Sequence, residues 1–134
     1  MNALFGEVFD DPASFGSAPP DDAYAQRLLG RNDTVLLLAM AGSTPIGALA
    51  GYVLPKYEQA RCELYIYDLA VLEDWRRRGV ATALIDEIRR IAREAGAWTV
   101  FVQADTIPED EPARALYRKL ASEEITALHF DIAP

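Results

Sequence analysis

Arg76-Arg77-Arg78-Gly79 stands between a strand-like apolar run and a helix-like one, a placement that suits an anion. The first N–H groups of a helix have no intrahelical partner and sit at the positive end of its dipole. A strand that delivers a glycine-containing loop into a helix N-terminus therefore offers donors to phosphate oxygens. The three consecutive arginines raise the local potential further. Asp68 is a second candidate, because an ionisable group inside an otherwise apolar strand is costly unless it is paired or used. Glu63, at the start of the same strand, and Asp105, at the end of the next one, are rival carboxylates for proton chemistry. Cys62 is the only cysteine, so no internal disulfide forms, and it reads as a small filler. The only histidine, His129, reads as an ordinary strand residue, and no metal-ligand cluster is apparent.

One stretch, Glu63 to Ala95, must position these groups. Leu64–Leu72 is aromatic, aliphatic and β-branched, as befits a strand packed on both faces. The loop Glu73–Gly79 breaks that run, and from Val80 the apolar residues Ala83, Leu84, Ile88, Ile91, Ala92 and Ala95 recur at helical spacing. Upstream, residues 2–9 predict a short helix and residues 10–20 a loop. A helix capped by Asp21 or Asp22 then runs to Leu29, and strands Thr34–Ala41 and Pro45–Val53 turn at Gly42-Ser43. Downstream come a strand at Trp98–Val102, an acidic loop at Thr106–Glu111, a helix at Pro112–Ala121 and a last strand at Ile125–Ile132. This order predicts a mixed α/β sheet with helices on both faces, as one domain spanning residues 1–134.

Composition narrows the function. The chain has 21 acidic against 13 basic residues, a net charge of −8, which disfavours nucleic-acid phosphates and favours a cationic ligand. No apolar run approaches the roughly 20 residues that span a bilayer. No signal peptide is apparent, and the lone cysteine fits a cytoplasmic setting.

Asp68-Leu69-Ala70-Val71 before the Arg76-x-x-Gly79-x-Ala81 loop, with Ala113-Arg114-Ala115-Leu116-Tyr117 after the following strand, resembles the GCN5-related N-acetyltransferase family. The resemblance covers residues 34–132 and implies an acetyl-CoA-binding fold with a splayed strand pair. It places the pyrophosphate against Arg76, Arg77, Arg78, Gly79, Val80, Ala81 and Thr82, with backbone N–H groups of Arg78, Gly79, Ala81 and Thr82 as donors. It sets the pantetheine arm along Leu69, Ala70 and Val71, and an oxyanion donor near Val71. Tyr117 becomes the expected general acid, while the cost of burying its charge keeps Asp68 the favoured base, with a structural role bonding loop N–H groups as the alternative. With an ordinary phenol pKa of about 10, transfer to a thiolate is uphill by only ~2 kcal/mol.

Two departures from the family pattern are visible. An asparagine usually stands seven residues before that tyrosine, where this chain has Asp110, near the cofactor and able to cap the helix. Family members usually begin with a strand, whereas here the first predicted element is a helix, leaving Thr34–Ala41 at a bare edge. That edge and the resemblance together imply a homodimer.

GALAGYVLPKYEQARCELYIYDLAV at 47–71, VQAD at 102–105 and HFDI at 129–132 are similar to the aminoglycoside 3-N-acetyltransferase branch of the family. That branch acetylates the 3-amino group of 2-deoxystreptamine in gentamicin-type antibiotics. The resemblance implies Glu58, Glu63, Asp105, Glu109, Asp110, Glu111 and Asp131 around the cationic sugar. Two other readings stay open: an enzyme for another cationic amine, such as a polyamine or a protein N-terminus, and a non-catalytic acyl-CoA-binding module.

Overall fold

The apolar runs pair into one four-stranded sheet of order β1-β2-β3-β4, comprising β1 (Thr34–Ala41), β2 (Thr44–Pro55), β3 (Cys62–Val71) and β4 (Ala97–Val102). The first two pairings are antiparallel and β3–β4 is parallel, so the sheet is mixed as the sequence predicts. The parallel step needs a crossover, which α4 (Val80–Glu94) supplies between β3 and β4. The computed structural model describes all 134 residues, in two compact units, Met1–Val102 and Gln103–Pro134.

Within the first unit, α4 covers one face of the sheet. Its Leu84, Ile88 and Ala92 are buried against Val35, Leu49, Leu64 and Ile66. Burying a Leu or Ile contributes about 1.5–3 kcal/mol each, so this layer supplies much of the unit's stability. The helix lies close because β2 presents glycines to it. A Cβ on Gly51 would meet Ile88 Cδ1 at 2.7 Å and the Tyr65 carbonyl at 3.0 Å, and one on Gly47 would meet Val80 Cγ1 at 2.9 Å. On the opposite face, Leu4 and Phe5 of α1 (Asn2–Val8) pack on Ala48, Ala50 and Ala70.

Two further helices belong to this unit. α2 (Pro12–Gly16) forms where a loop is predicted, because Asp11 accepts a hydrogen bond from the Ser14 N–H and Pro12 occupies the first turn. α3 (Asp22–Leu29) is capped by Asp21, which accepts from the Tyr24 N–H at 2.6 Å. No helix is long and apolar enough to cross a membrane.

The second unit holds a 3-10 turn at Pro108–Asp110 and α5 (Glu111–Leu120). The predicted strand Ile125–Ile132 does not form: residues 121–134 contain neither helix nor strand. Leu128, Phe130 and Ile132 alternate with His129 and Asp131 as in a strand. Alternation alone makes none without a neighbour to accept its hydrogen bonds, and Ile125, Leu128, Phe130 and Ile132 are exposed. His129 is thus a tail residue rather than a strand residue, bonded to Asp131 at 3.1 Å.

Candidate active site

The chemistry-bearing part of the first unit begins at an irregularity in β3. Its pairing with β2 runs Asp68↔Ala50 and then Ile66↔Gly51, so Tyr67 is an extra, bulged residue. The insertion reverses the alternation. Leu64 and Ile66 point at α4 before the bulge, and Leu69 packs on that same core after it. Asp68 shares the other face with Ala48, Ala50 and Ala70, together with Tyr65, which pairs with Tyr52. Without the extra residue Asp68 would be aimed into the apolar layer under α4.

Asp68 makes no side-chain hydrogen bond or ion pair with the protein, and partial burial raises its carboxyl above the usual carboxylate range. A half-buried carboxylate without a partner is suited to meeting one from outside, or to taking up a proton.

β3 is paired on both sides only in its first half. Its bonds to β4 end at Ile66↔Val102, and no strand pairs with Tyr67–Val71 on the side away from β2. The Leu72 N–H donates to the Ile46 carbonyl, which fixes the parity of the antiparallel ladder. By that alternation Ala70 and Asp68 bond to β2, while the N–H and C=O groups of Leu69 and Val71 point outward. Of the three residues expected to pair with a pantetheine arm, Ala70 therefore spends its backbone groups inside the sheet. Arg76 Nε donates to the Val71 carbonyl at 3.1 Å, tying the arginine loop back to the end of the strand.

That loop leads through a 3-10 turn at Glu73–Trp75 to α4. Arg77 and Gly79 both have left-handed backbone, at φ +62° and +83°. Gly79 is the N-cap, and no side chain caps the helix, so the first N–H groups of α4 are left to an outside acceptor. A Cβ on Gly79 would meet nothing within 4 Å, so the approach to these donors is open. The Arg78 guanidinium lies 5.2 Å from the centroid of the Trp75 ring, which holds one positive charge beside the turn. These features fit the pyrophosphate of coenzyme A: unfilled donors, a helix of 15 residues behind them and an open approach.

Several carboxylates expected around a cationic substrate are already engaged. Glu58 pairs with Lys56 and Arg61, each at 3.6 Å, and Glu63 pairs with Lys56 at 3.3 Å and accepts from Trp98 Nε1 at 3.2 Å. Glu63 also lies eight residues along β3 from Val71, which at ~3.3 Å per residue is about 26 Å. Asp68 lies only about 10 Å from Val71 on the same rise.

In the second unit, Glu111 pairs with Arg114 at 2.8 Å and Arg118 at 3.3 Å. Arg114 also donates to the carbonyls of Asp105 and Ile107, and Asp110 accepts from the Asp105 N–H at 3.0 Å. Asp110 thus occupies the N-cap position of α5 without the expected side-chain cap, because its carboxylate is turned to Asp105. Glu109 and Asp131 are exposed. Tyr117 on α5 is half-buried, and burial and then the Asp110 carboxylate push its phenol up to about 12. Against a thiol near 8.5, proton transfer becomes uphill by about 5 kcal/mol, more than an ordinary tyrosine implies. The phenol is therefore held in its neutral form.

No sequence motif marks the tyrosines. Tyr52, Tyr65 and Tyr67 form one cluster, with ring centroids 5.8 Å apart for Tyr52–Tyr67 and 5.6 Å for Tyr65–Tyr67. The spacing of Tyr65 and Tyr67 on one strand hints at it, but Tyr52 joins only through the register.

The model of the acetyltransferase (GNAT) family matches residues 2–121. An aminoglycoside acetyltransferase from an uncultured soil metagenomic sample is 48% identical, with all of this chain and 88% of that one covered at a TM-score of 0.96. A second one, also from an uncultured soil metagenomic sample and solved with sisomicin, is 31% identical, covering 98% and 85% at a TM-score of 0.81. The L-2,4-diaminobutyric acid acetyltransferase of Shouchella clausii is 30% identical over 66% of this chain and 47% of its own length. The chain spans about half the length of the curated relatives it matches, 47% and 54%.

Proposed function

The chain belongs to the acetyltransferase (GNAT) family, and from that premise we propose that it transfers acetyl from acetyl-CoA to the 3-amino group of the 2-deoxystreptamine ring of gentamicin-type aminoglycosides. Acetyl transfer draws its support from the second half of β3, where outward Leu69 and Val71, unpaired Asp68 and the uncapped start of α4 follow one another. The substrate class draws its support from the 48% identity to an aminoglycoside acetyltransferase along the whole chain.

Acetyl-CoA supplies an acyl group already activated as a thioester. The first N–H groups of α4, with Arg76–Arg78 around them, would hold its phosphates, and the outward edge of Leu69 and Val71 would hold its pantetheine arm. The Val71 N–H, which points outward, would be the donor to the developing negative charge on the acyl oxygen. Asp68 takes the proton that the substrate ammonium must lose before its nitrogen can attack. Tyr117 would stay protonated and donate a hydrogen bond to the departing sulfur, which would take up the second proton shed by the attacking nitrogen as the amide forms. In this reading residues 1–134 act as one acetyltransferase domain, working as a homodimer in the cytoplasm, where its acyl donor is found.

The test is the product of gentamicin and acetyl-CoA, followed by thiol release and by NMR of the acetylated drug. We expect one acetyl group on the 3-nitrogen. Acetylation at another nitrogen would overturn the regiochemistry. Turnover of 2,4-diaminobutyrate or spermidine without turnover of gentamicin would favour the second reading, a different small cationic amine, which the diaminobutyrate relative supports. Saturable binding of coenzyme A with no thiol release for any amine would leave a non-catalytic module.

A further inference from the structure

The tyrosine cluster lies on the face of the sheet that α1 covers only in part. Leu4 and Phe5 reach Ala48, Ala50 and Ala70, and the same face continues past them to the Tyr52/Tyr65 pair. The rings touch one another and Phe101. Tyr67 meets Tyr52 edge-on at 84° and Tyr65 at 73°, and Phe101 of β4 stacks behind Tyr65 at 4.8 Å and 10°. Tyr67, the outermost ring, is 61% exposed, although large aromatics usually gain by burial. Its neighbour Asp68 supplies a negative charge on the same face, with no cation of the protein to meet it. Tyr52 also lines an open groove of about 490 Å³ that runs between α3 and the ends of β1 and β2, past Tyr24, Arg27, Leu54 and the ion pair of Arg31 with Asp33. That volume lies in the range of about 300–1,000 Å³ typical of small-molecule sites.

Cross-strand aromatic contacts stabilise a sheet by themselves, but they need neither an exposed ring nor a lone carboxylate. A cation is attracted to a ring face when it lies within about 6 Å of the centroid. Rings spaced at 5.6 and 5.8 Å let one ammonium be that close to more than one of them. The net charge of −8 draws such a group in.

We propose that Tyr52, Tyr65 and Tyr67 form an aromatic box that receives an ammonium group of the acceptor other than the one acetylated, with Asp68 as the adjoining anion until it takes up the proton of the reacting nitrogen, and the groove beside Tyr52 receiving the next ring of the molecule. This rests on the reading of the chain as an acetyltransferase for polycationic acceptors. It assigns to the rings the recognition that the engaged acids, Glu58, Glu63 and Glu111, are not free to provide.

The experiment uses the full chain with labelled tyrosine rings, assigned by Tyr→Phe variants. It is titrated with tetramethylammonium chloride and separately with 3,3-dimethylbutan-1-ol, a neutral molecule of similar bulk. We expect saturable shifts of the Tyr52, Tyr65 and Tyr67 resonances with the cation alone, reversed by gentamicin, lost in Tyr67→Leu and kept in Tyr67→Phe. In turnover, Tyr67→Leu should raise the KM for the aminoglycoside about tenfold with kcat and the KM for acetyl-CoA unchanged, as expected for loss of one ring contact. Equal shifts with the neutral alcohol, or none with the cation, would overturn the box. The two proposals fail separately. Cation binding at the tyrosines without aminoglycoside turnover would sink the substrate assignment and leave the box. Aminoglycoside turnover indifferent to Tyr67→Leu would sink the box alone.

Discussion

The two halves of β3 are built from the same kinds of residue and do different things. Cys62–Ile66 is held by β2 on one side and β4 on the other, and its Leu64 and Ile66 are sealed under α4. Tyr67–Val71 keeps β2 but has no strand on its other side, and it carries an unpaired carboxylate and two outward peptide edges. One bulged residue separates them. A strand can thus belong to the core in one half and offer chemistry in the next, provided an extra residue resets which side chains face inward.

Changes in the second half should therefore cost turnover and spare stability, and changes against the first half should do the reverse. The largest effect is expected from Asp68→Asn, a fall in kcat of roughly 10²–10⁴-fold with little change in the KM for acetyl-CoA. Burial raises this carboxyl above its ordinary 3.8, so the folded chain holds the proton more tightly than the unfolded chain. The stability it lends is complete below the ordinary pKa and lost as pH rises through the raised one. At neutral pH the ionised group opposes folding, and the asparagine variant should melt at a slightly higher temperature, as calorimetry would show. The wild-type rate should fall on the acid side through a pKa above the usual carboxylate range, a limb absent from the variant.

Gly79→Val should come next, with the affinity for coenzyme A weakened about 100-fold by titration calorimetry, because a β-branched residue at φ +83° distorts the turn that aims the helix N–H groups. An unchanged affinity would break the link between this turn and the cofactor. Tyr117→Phe should lower kcat roughly tenfold, the scale of one lost hydrogen bond, and leave coenzyme A binding intact. A loss a thousandfold larger would show that the phenol does give up its proton despite its raised pKa. Gly51→Ala should change rates least. Its methyl would press on Ile88 opposite Ile66, costing about 1–3 kcal/mol in a denaturant melt while kcat of the folded enzyme stays the same.

The strand, loop and helix from β3 through α4 were legible to within two residues, because continuous apolar runs, helical spacing and a single glycine are local signals. The bulge was not, since a one-residue insertion alters pairing without altering composition. The box of tyrosines was hidden for the same reason: Tyr52 and Tyr65 meet only once the register is known. Ile125–Ile132 shows the opposite failure, a correct alternation with nothing to pair against. The acidic residues were visible as charges but not as partners, because Arg114 folds back over residues that the sequence leaves open as ligands for a substrate.

The bare start of α4 has a thermodynamic consequence. Gly79, in left-handed backbone, has no side chain to close the helix from within. An anion seated there completes the helix in its place, so ligand binding and folding are coupled. At a coenzyme concentration of about 100 times its dissociation constant, the folded state would gain about 2.7 kcal/mol over the empty one. The protein would then be most resistant to unfolding when its acyl donor is plentiful.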